Sequence, residues 1–266
     1  SPLRPYDDIV NENPFFIQNK PSLKSHCEAI TRHVRKNYDA DQVVLLSRDK
    51  AAEKKRFTYF HEANAAYDGT SDAASFEEFI VNSASGDYTD IDVTPAIKQG
   101  KTTVFIVPSF SSSTFIYGFL RQLRIAKGNN EVIVYGMPQW LDFELSSYDY
   151  YEELNVHVSS STFIDTEQAD IEAFRQRYFY KYAAPPTREA FVGYDLMLYL
   201  GRMLKKHGTK FREVLDVEQR KYLHTRFAFE KVMKNPGDDA FKQIKKYENK
   251  HVNILKFENY HFQLAE

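Results

Sequence analysis

Short apolar runs closed by turn residues recur through the first half of the chain. Gln42-Val43-Val44-Leu45-Leu46-Ser47 is one, Thr102-Thr103-Val104-Phe105-Ile106-Val107-Pro108 a second, and Val132-Ile133-Val134-Tyr135 before Gly136-Met137-Pro138 a third. Runs this short, apolar without alternation and closed by Gly or Pro, predict strands buried on both faces. Helical spacing fills the gaps. Ser22 is placed to cap a helix to about Asn37, with Leu23, Cys27, Ile30 and Val34 on one face. Helices are also predicted over 51–66 and 115–126, so the rhythm is that of a parallel α/β sheet.

Between these, Ser75–Val81 reads as a short helical turn, Asp87–Asp92 as strand-like, and Thr94–Gln99 as a short helix closed by Gly100. Beyond Pro138 comes an aromatic, acidic loop, Ser146–Glu153, then a strand at Asn155–Val158 and the polar Ser159–Thr162. Helices follow over Asp165–Tyr182 and Arg188–His207, broken at Pro185-Pro186. Thr209–Val217 is a helical patch, and Leu223–Glu230 alternates like a strand. Asn235–Asp239 is a turn, and Val252–Phe257 a closing strand that continues as the alternating Tyr260, Phe262 and Leu264.

The stretches YGMPQW, SSTFID, AFRQRYFYKY and GYDLMLYLGRMLKKHG, in this order, resemble the type I periplasmic binding protein superfamily. The likeness is greatest to the domain that follows LysM repeats in envelope proteins of Bacteroidetes, often labelled amino-acid ABC-transporter substrate-binding protein. It implies α/β, three-layer parallel-sheet lobes with an incomplete first lobe. Residues 1–20 would then be the end of the first lobe and a crossing segment, with 21–158 the second lobe. Residues 159–222 would be helices returning to the first lobe, and 223–266 closing strands, mainly of the second. The preceding lobe or another chain would cover the incomplete one.

Ligand contacts follow from the same likeness. The Ser109–Thr114 loop and the Gly136–Trp140 turn match the second-lobe loops that face the cleft in amino-acid-binding relatives. Ser109, Ser111, Ser112, Thr114, Gln139 and Trp140 of these loops, with Tyr148 and Tyr150 of the aromatic loop beside the expected cleft, are the candidate ligand-binding residues. Hydroxyls and free N–H groups at a helix start suit an anion, and this loop is the chain's best candidate for one, although for any single serine a Ser/Thr cap is the favoured reading. Two departures stand out. Gln139 is neutral where relatives present an acid, and Lys50-Ala51-Ala52-Glu53 stands where they carry Tyr-Gly.

Composition narrows the class. Basic and acidic residues number 35 and 37 in 266, a net charge of −2, and this disfavours nucleic-acid binding. No apolar run reaches the ~18 residues of a membrane span. A single cysteine, Cys27, makes no internal disulfide and reads as a small, half-buried helix residue. The chain carries no zincin helix, nucleophile elbow, Walker loop or dinucleotide fingerprint. His26 and His33 share a helix face without a third ligand, so no metal or cofactor is expected. Asp149, Glu152 and Glu153 form an acidic cluster that a solvated loop explains. The expectation is a non-enzymatic protein of the periplasm or outer-membrane-associated envelope, partnered by peptidoglycan or envelope proteins. The alternative is a solute-binding protein for an amino acid or other small polar ligand.

Overall fold

The apolar runs do pair as a parallel sheet. In the computed structural model, residues 16–69, 75–143, 148–218, 220–233 and 244–265 are described. They divide into two compact units, one of 1–25 with 161–252 and the other of 26–160 with 253–266.

The second of these holds a seven-stranded sheet. Its strands are β2 (Val43–Arg48), β3 (Glu77–Val81), β4 (Thr103–Ile106), β5 (Val132–Gly136), β6 (Val156–Ser160), β11 (Asn253–Glu258) and β12 (His261–Leu264), in the order β12-β11-β6-β5-β4-β2-β3. β2 to β6 run parallel, and β11 is antiparallel to both β6 and β12. Every residue of β4 and β5 is buried, as are all but the last of β2. Successive side chains point to opposite faces, so the sheet is covered on both. Helices α1 (Leu23–Asn37), α2 (Ala51–Asp68) and α3 (Ser113–Lys127) lie between the strands in sequence, and a short α4 (Tyr148–Glu153) precedes β6. Ser25 N–H meets Ser22 Oγ at 3.3 Å, as the cap reading requires.

The other unit joins β1 (Ile17–Gln18), β9 (Phe229–Met233) and β10 (Ile244–Asn249) in the order β1-β10-β9, with a hairpin of β7 (Arg220–Lys221) and β8 (Arg226–Phe227). Helices α5 (Ala169–Tyr182) and α6 (Arg188–His207) belong here. Its core gathers Tyr199 and Met203 of α6 with Leu215, Phe227, Phe229 and Tyr247. Ile171 and Phe174 of α5 pack with Phe191. The carboxylate of Asp195, fully buried on α6, accepts the N–H groups of Leu223, His224 and Thr225 at 2.9–3.3 Å and fixes the hairpin turn.

Several expectations are corrected. Ser75–Val81 is not helical: Glu77–Val81 pairs in parallel with β2. Asp87–Asp92 is not a strand, because the Asp90 carboxylate gathers the Ser85 hydroxyl and the N–H groups of Ala84 and Ser85 into a folded loop. Helix α5 starts at Ala169 rather than Asp165, whose side chain accepts from the Glu167 N–H and the Gln168 amide in the turn before it. Ser159 and Ser160 extend β6. The stretch expected as an aromatic loop is helical from Tyr148, and Ser146 and Ser147 lie outside the described residues, as does the Asn235–Asp239 turn. Strand β10 was not foreseen. It pairs with β9 and β1, which groups 223–252 with 161–222 and leaves 253–266 with the larger sheet.

Candidate functional site

At the carboxyl ends of β2, β4 and β5, three connections converge on one charged pair. Arg48 closes β2, and Glu53 sits in the first turn of α2. The Arg48 guanidinium donates to Glu53 from Nη2 and, at 3.1 and 3.3 Å, from Nε, while the Arg48 N–H reaches Glu53 Oε2 at 3.2 Å. Glu53 is 2% exposed. Its hydrogen bonds to Arg48 hold the guanidinium pKa above its ordinary value against the cost of burial.

The serine loop is bound into this pair. Ser109, fully buried, donates its hydroxyl to Glu53 Oε1 at 2.9 Å. Ser111 Oγ lies 3.3 Å from Arg48 Nη2. Ser112 caps α3, its Oγ accepting the Phe115 N–H at 3.2 Å. Arg56 donates to the Pro108 carbonyl at 2.6 Å and lies over the Phe110 ring at 4.0 Å. Thr114 is exposed on the first turn of α3.

Trp140 closes the third side from within. It is fully buried, and its indole N–H donates to the Ser109 carbonyl at 2.8 Å. A Cβ at Gly136 would come within 2.3 Å of the ring, so the Gly permits the indole to lie on the strand end. Trp140 thus acts as a packing residue. Gln139 beside it is half-buried, and its Oε1 is enclosed with no hydrogen-bond partner among the described residues.

Tyr148 and Tyr150 lie elsewhere on the same unit. Tyr148 stacks on Phe257 at 5.5 Å, one residue past the Lys256–His157 pair and so toward the amino end of β6. Tyr150 lies under Arg124, which pairs with Glu153. Glu152 accepts the Asn259 and Tyr260 N–H groups, and Asp149 the Tyr260 hydroxyl, so the acidic cluster ties α4 to the β11–β12 turn. The structure brings Ser109, Ser111, Ser112 and Trp140 together and leaves the tyrosines outside that group.

Sequence reasoning missed Arg48, Glu53 and Arg56. The available signal was an arginine directly after an apolar strand, with an acid five residues on in the next helix. The histidines also have assignments: His26 Nδ1 meets Ser159 Oγ at 3.0 Å, and His33 Nδ1 meets Tyr135 Oη at 2.8 Å. Among the described residues no cluster of three metal-ligating side chains occurs, and burial pushes the Cys27 thiol up to about 12.

In the smaller unit a pocket of about 20 Å³ is lined by Asn19, Lys20, Ser161, Thr162, His224 and Asn249, among others. This is room for a water molecule rather than a solute.

No protein-family model matches the sequence, and no curated protein matches it. Solved structures do. A branched-chain amino acid ABC transporter periplasmic ligand-binding protein from Burkholderia xenovorans superposes with a TM-score of 0.66 at 12% identity, over 100% of this chain and 69% of its own. An ABC transporter substrate-binding protein from Desulfitobacterium hafniense, in complex with Leu, gives 0.60 at 14%, over 97% and 70%. The C-domain of LpoA from Haemophilus influenzae, described as a regulator of PBP1A, gives 0.51 at 10%, over 96% and 73%. The fold is therefore periplasmic-binding-protein-like, and these neighbours are binding or regulatory proteins.

Proposed function

We propose that this chain is a non-enzymatic cell-envelope protein whose binding-protein-like fold serves protein–protein or peptidoglycan-associated interaction. One observation carries the reading. The polar groups that would greet a solute at the strand ends are used within the chain: Ser109 and Arg48 on Glu53, Ser112 on the α3 start, and Trp140 on Ser109. Opening that set for a ligand would strand a buried carboxylate, which is costly. The regulatory role printed for the LpoA neighbour supports the same direction. The link to LysM-bearing envelope proteins and the outer membrane belongs to this proposal. Equilibrium dialysis against a labelled amino-acid mixture tests it. The chain should retain none, and stoichiometric retention of any one amino acid would refute the reading.

A second reading is solute binding, with Ser111, Thr114 and Gln139 as contacts. The unpartnered Gln139 Oε1 favours it, because a ligand ammonium or amide could supply the missing donor. A Gln139→Leu variant separates the two readings. It should be neutral or stabilising if nothing binds, and should abolish retention if a solute does.

A further inference from the structure

The small pocket of the second compact unit is walled by polar side chains whose other bonds decide which atoms remain for it. Asn249 is 4% exposed, and its Oδ1 accepts the N–H groups of Ala228 at 2.9 Å and His251 at 3.2 Å. The amide protons on its Nδ2 are thereby left for the pocket that Asn249 lines. The His224 side chain is 2% exposed, with Nδ1 2.7 Å from Oδ2 of the fully buried Asp195. That carboxylate draws a ring proton to Nδ1, so Nε2 is the nitrogen left for the pocket. Lys20 lines the pocket too. Burial lowers the Lys20 pKa, as does the neighbouring Arg188, against Glu189. Val192, in the second turn of α6, is also in the wall, so the positive end of a 20-residue helix lies close by.

We propose that this pocket binds a single chloride-sized anion. Amide protons, an ammonium group and a helix start all favour negative charge, whereas a cation would meet Lys20 and Arg188. A volume of about 20 Å³ excludes an organic solute, and a halide ion is close to water in size. Water would fill the space but would leave the half-buried ammonium uncompensated. Asn19, whose enclosed Oδ1 has no hydrogen-bond partner among the described residues, can turn its amide over and offer Nδ2 to the ion. His224 Nε2 accepts a hydrogen bond in the neutral ring and donates one in the imidazolium, so the anion brings a proton with it. Asp195, on the far nitrogen, supports that charge, while Lys20 and Arg188 oppose it and Glu189 offsets them. The ion would tie together 19–20, 161–162, 224–225 and 249, four stretches distant in sequence. The inference goes beyond the interaction reading and uses none of the strand-end residues.

The test follows the melting temperature of the intact chain against sodium chloride, with sodium gluconate holding the ionic strength. Crystals soaked in sodium bromide locate the ion by anomalous scattering. Chloride should raise the melting temperature saturably and act at lower concentration as pH falls, and bromide should occupy the pocket. Lys20→Gln should raise the half-saturating chloride concentration about fivefold or more. Asn249→Asp keeps the oxygen that accepts the Ala228 and His251 N–H groups but sets a negative charge in the pocket, so it should abolish the response. Lys20→Gln decides the matter if that variant does not fold. The inference is overturned by an ordered water where bromide is expected, by chloride and gluconate acting alike, by an unchanged half-saturation in Lys20→Gln, or by a response that weakens as pH falls. None of these outcomes bears on amino-acid retention, for which Ser111→Ala is the relevant variant.

Discussion

Arg48 and Glu53 carry the argument at the residue scale. A buried ion pair adds little over a well-packed apolar pair, but removing one partner leaves a desolvated charge. Glu53→Ala should therefore cost about 3–5 kcal/mol in urea unfolding, more than breaking an exposed pair such as Lys101–Asp41, which solvent and salt screen. Gly136→Ala should cost about 1–3 kcal/mol, because a methyl group there displaces the Trp140 ring; indole fluorescence should shift with it. His157 supplies a pH test. Burial, aided by His33 and Lys256 and opposed by the Asn155 carbonyl and Glu258, pushes its imidazole down to about 4. The folded state then stays neutral while the unfolded state takes up a proton below about 6.5. Stability from this group is complete above that pH and falls between 6.5 and 4, by on the order of 1–3 kcal/mol. Urea midpoints at several pH values should show the decline, and His157→Gln should flatten it.

Elements were legible where pattern and burial agree. VVLLS, TVFI and VIVY announced β2, β4 and β5 because a strand covered on both faces has no polar positions to confuse the pattern. Glu77–Val81 was misread because it is an edge strand, with polar exposed residues at its start and a partner only on β2. Strand β10 was missed for a related reason. Lys246, Glu248 and Asn249 are polar yet buried, held by Gln18, Ser22, Ser25 and Ala228. Such burial rests on partners distant in sequence, which no local pattern contains. The candidate site divides likewise: the serine loop was visible as a helix start, but its engagement by Glu53 was not. Ser112→Ala should cost about 1 kcal/mol through the lost α3 cap, measurable by thermal unfolding.

The whole molecule combines a binding-protein-like fold with strand-end loops whose polar groups are largely self-satisfied. Its two compact units exchange chain at 25/26, 160/161 and 252/253, and solved neighbours of this fold include both a solute binder and a regulator of a partner protein. Fold alone does not choose between these. The internal use of Arg48, Glu53, Ser109 and Trp140 does favour one side. The most direct test is a thermal-shift screen against amino acids, short peptides and muropeptides, with Ser111→Ala as control. A ligand at about one hundred times its dissociation constant adds roughly 2.7 kcal/mol, enough to raise the melting point by several degrees. The account predicts no shift with any amino acid. A reproducible shift with one of them, lost in Ser111→Ala, would contradict it.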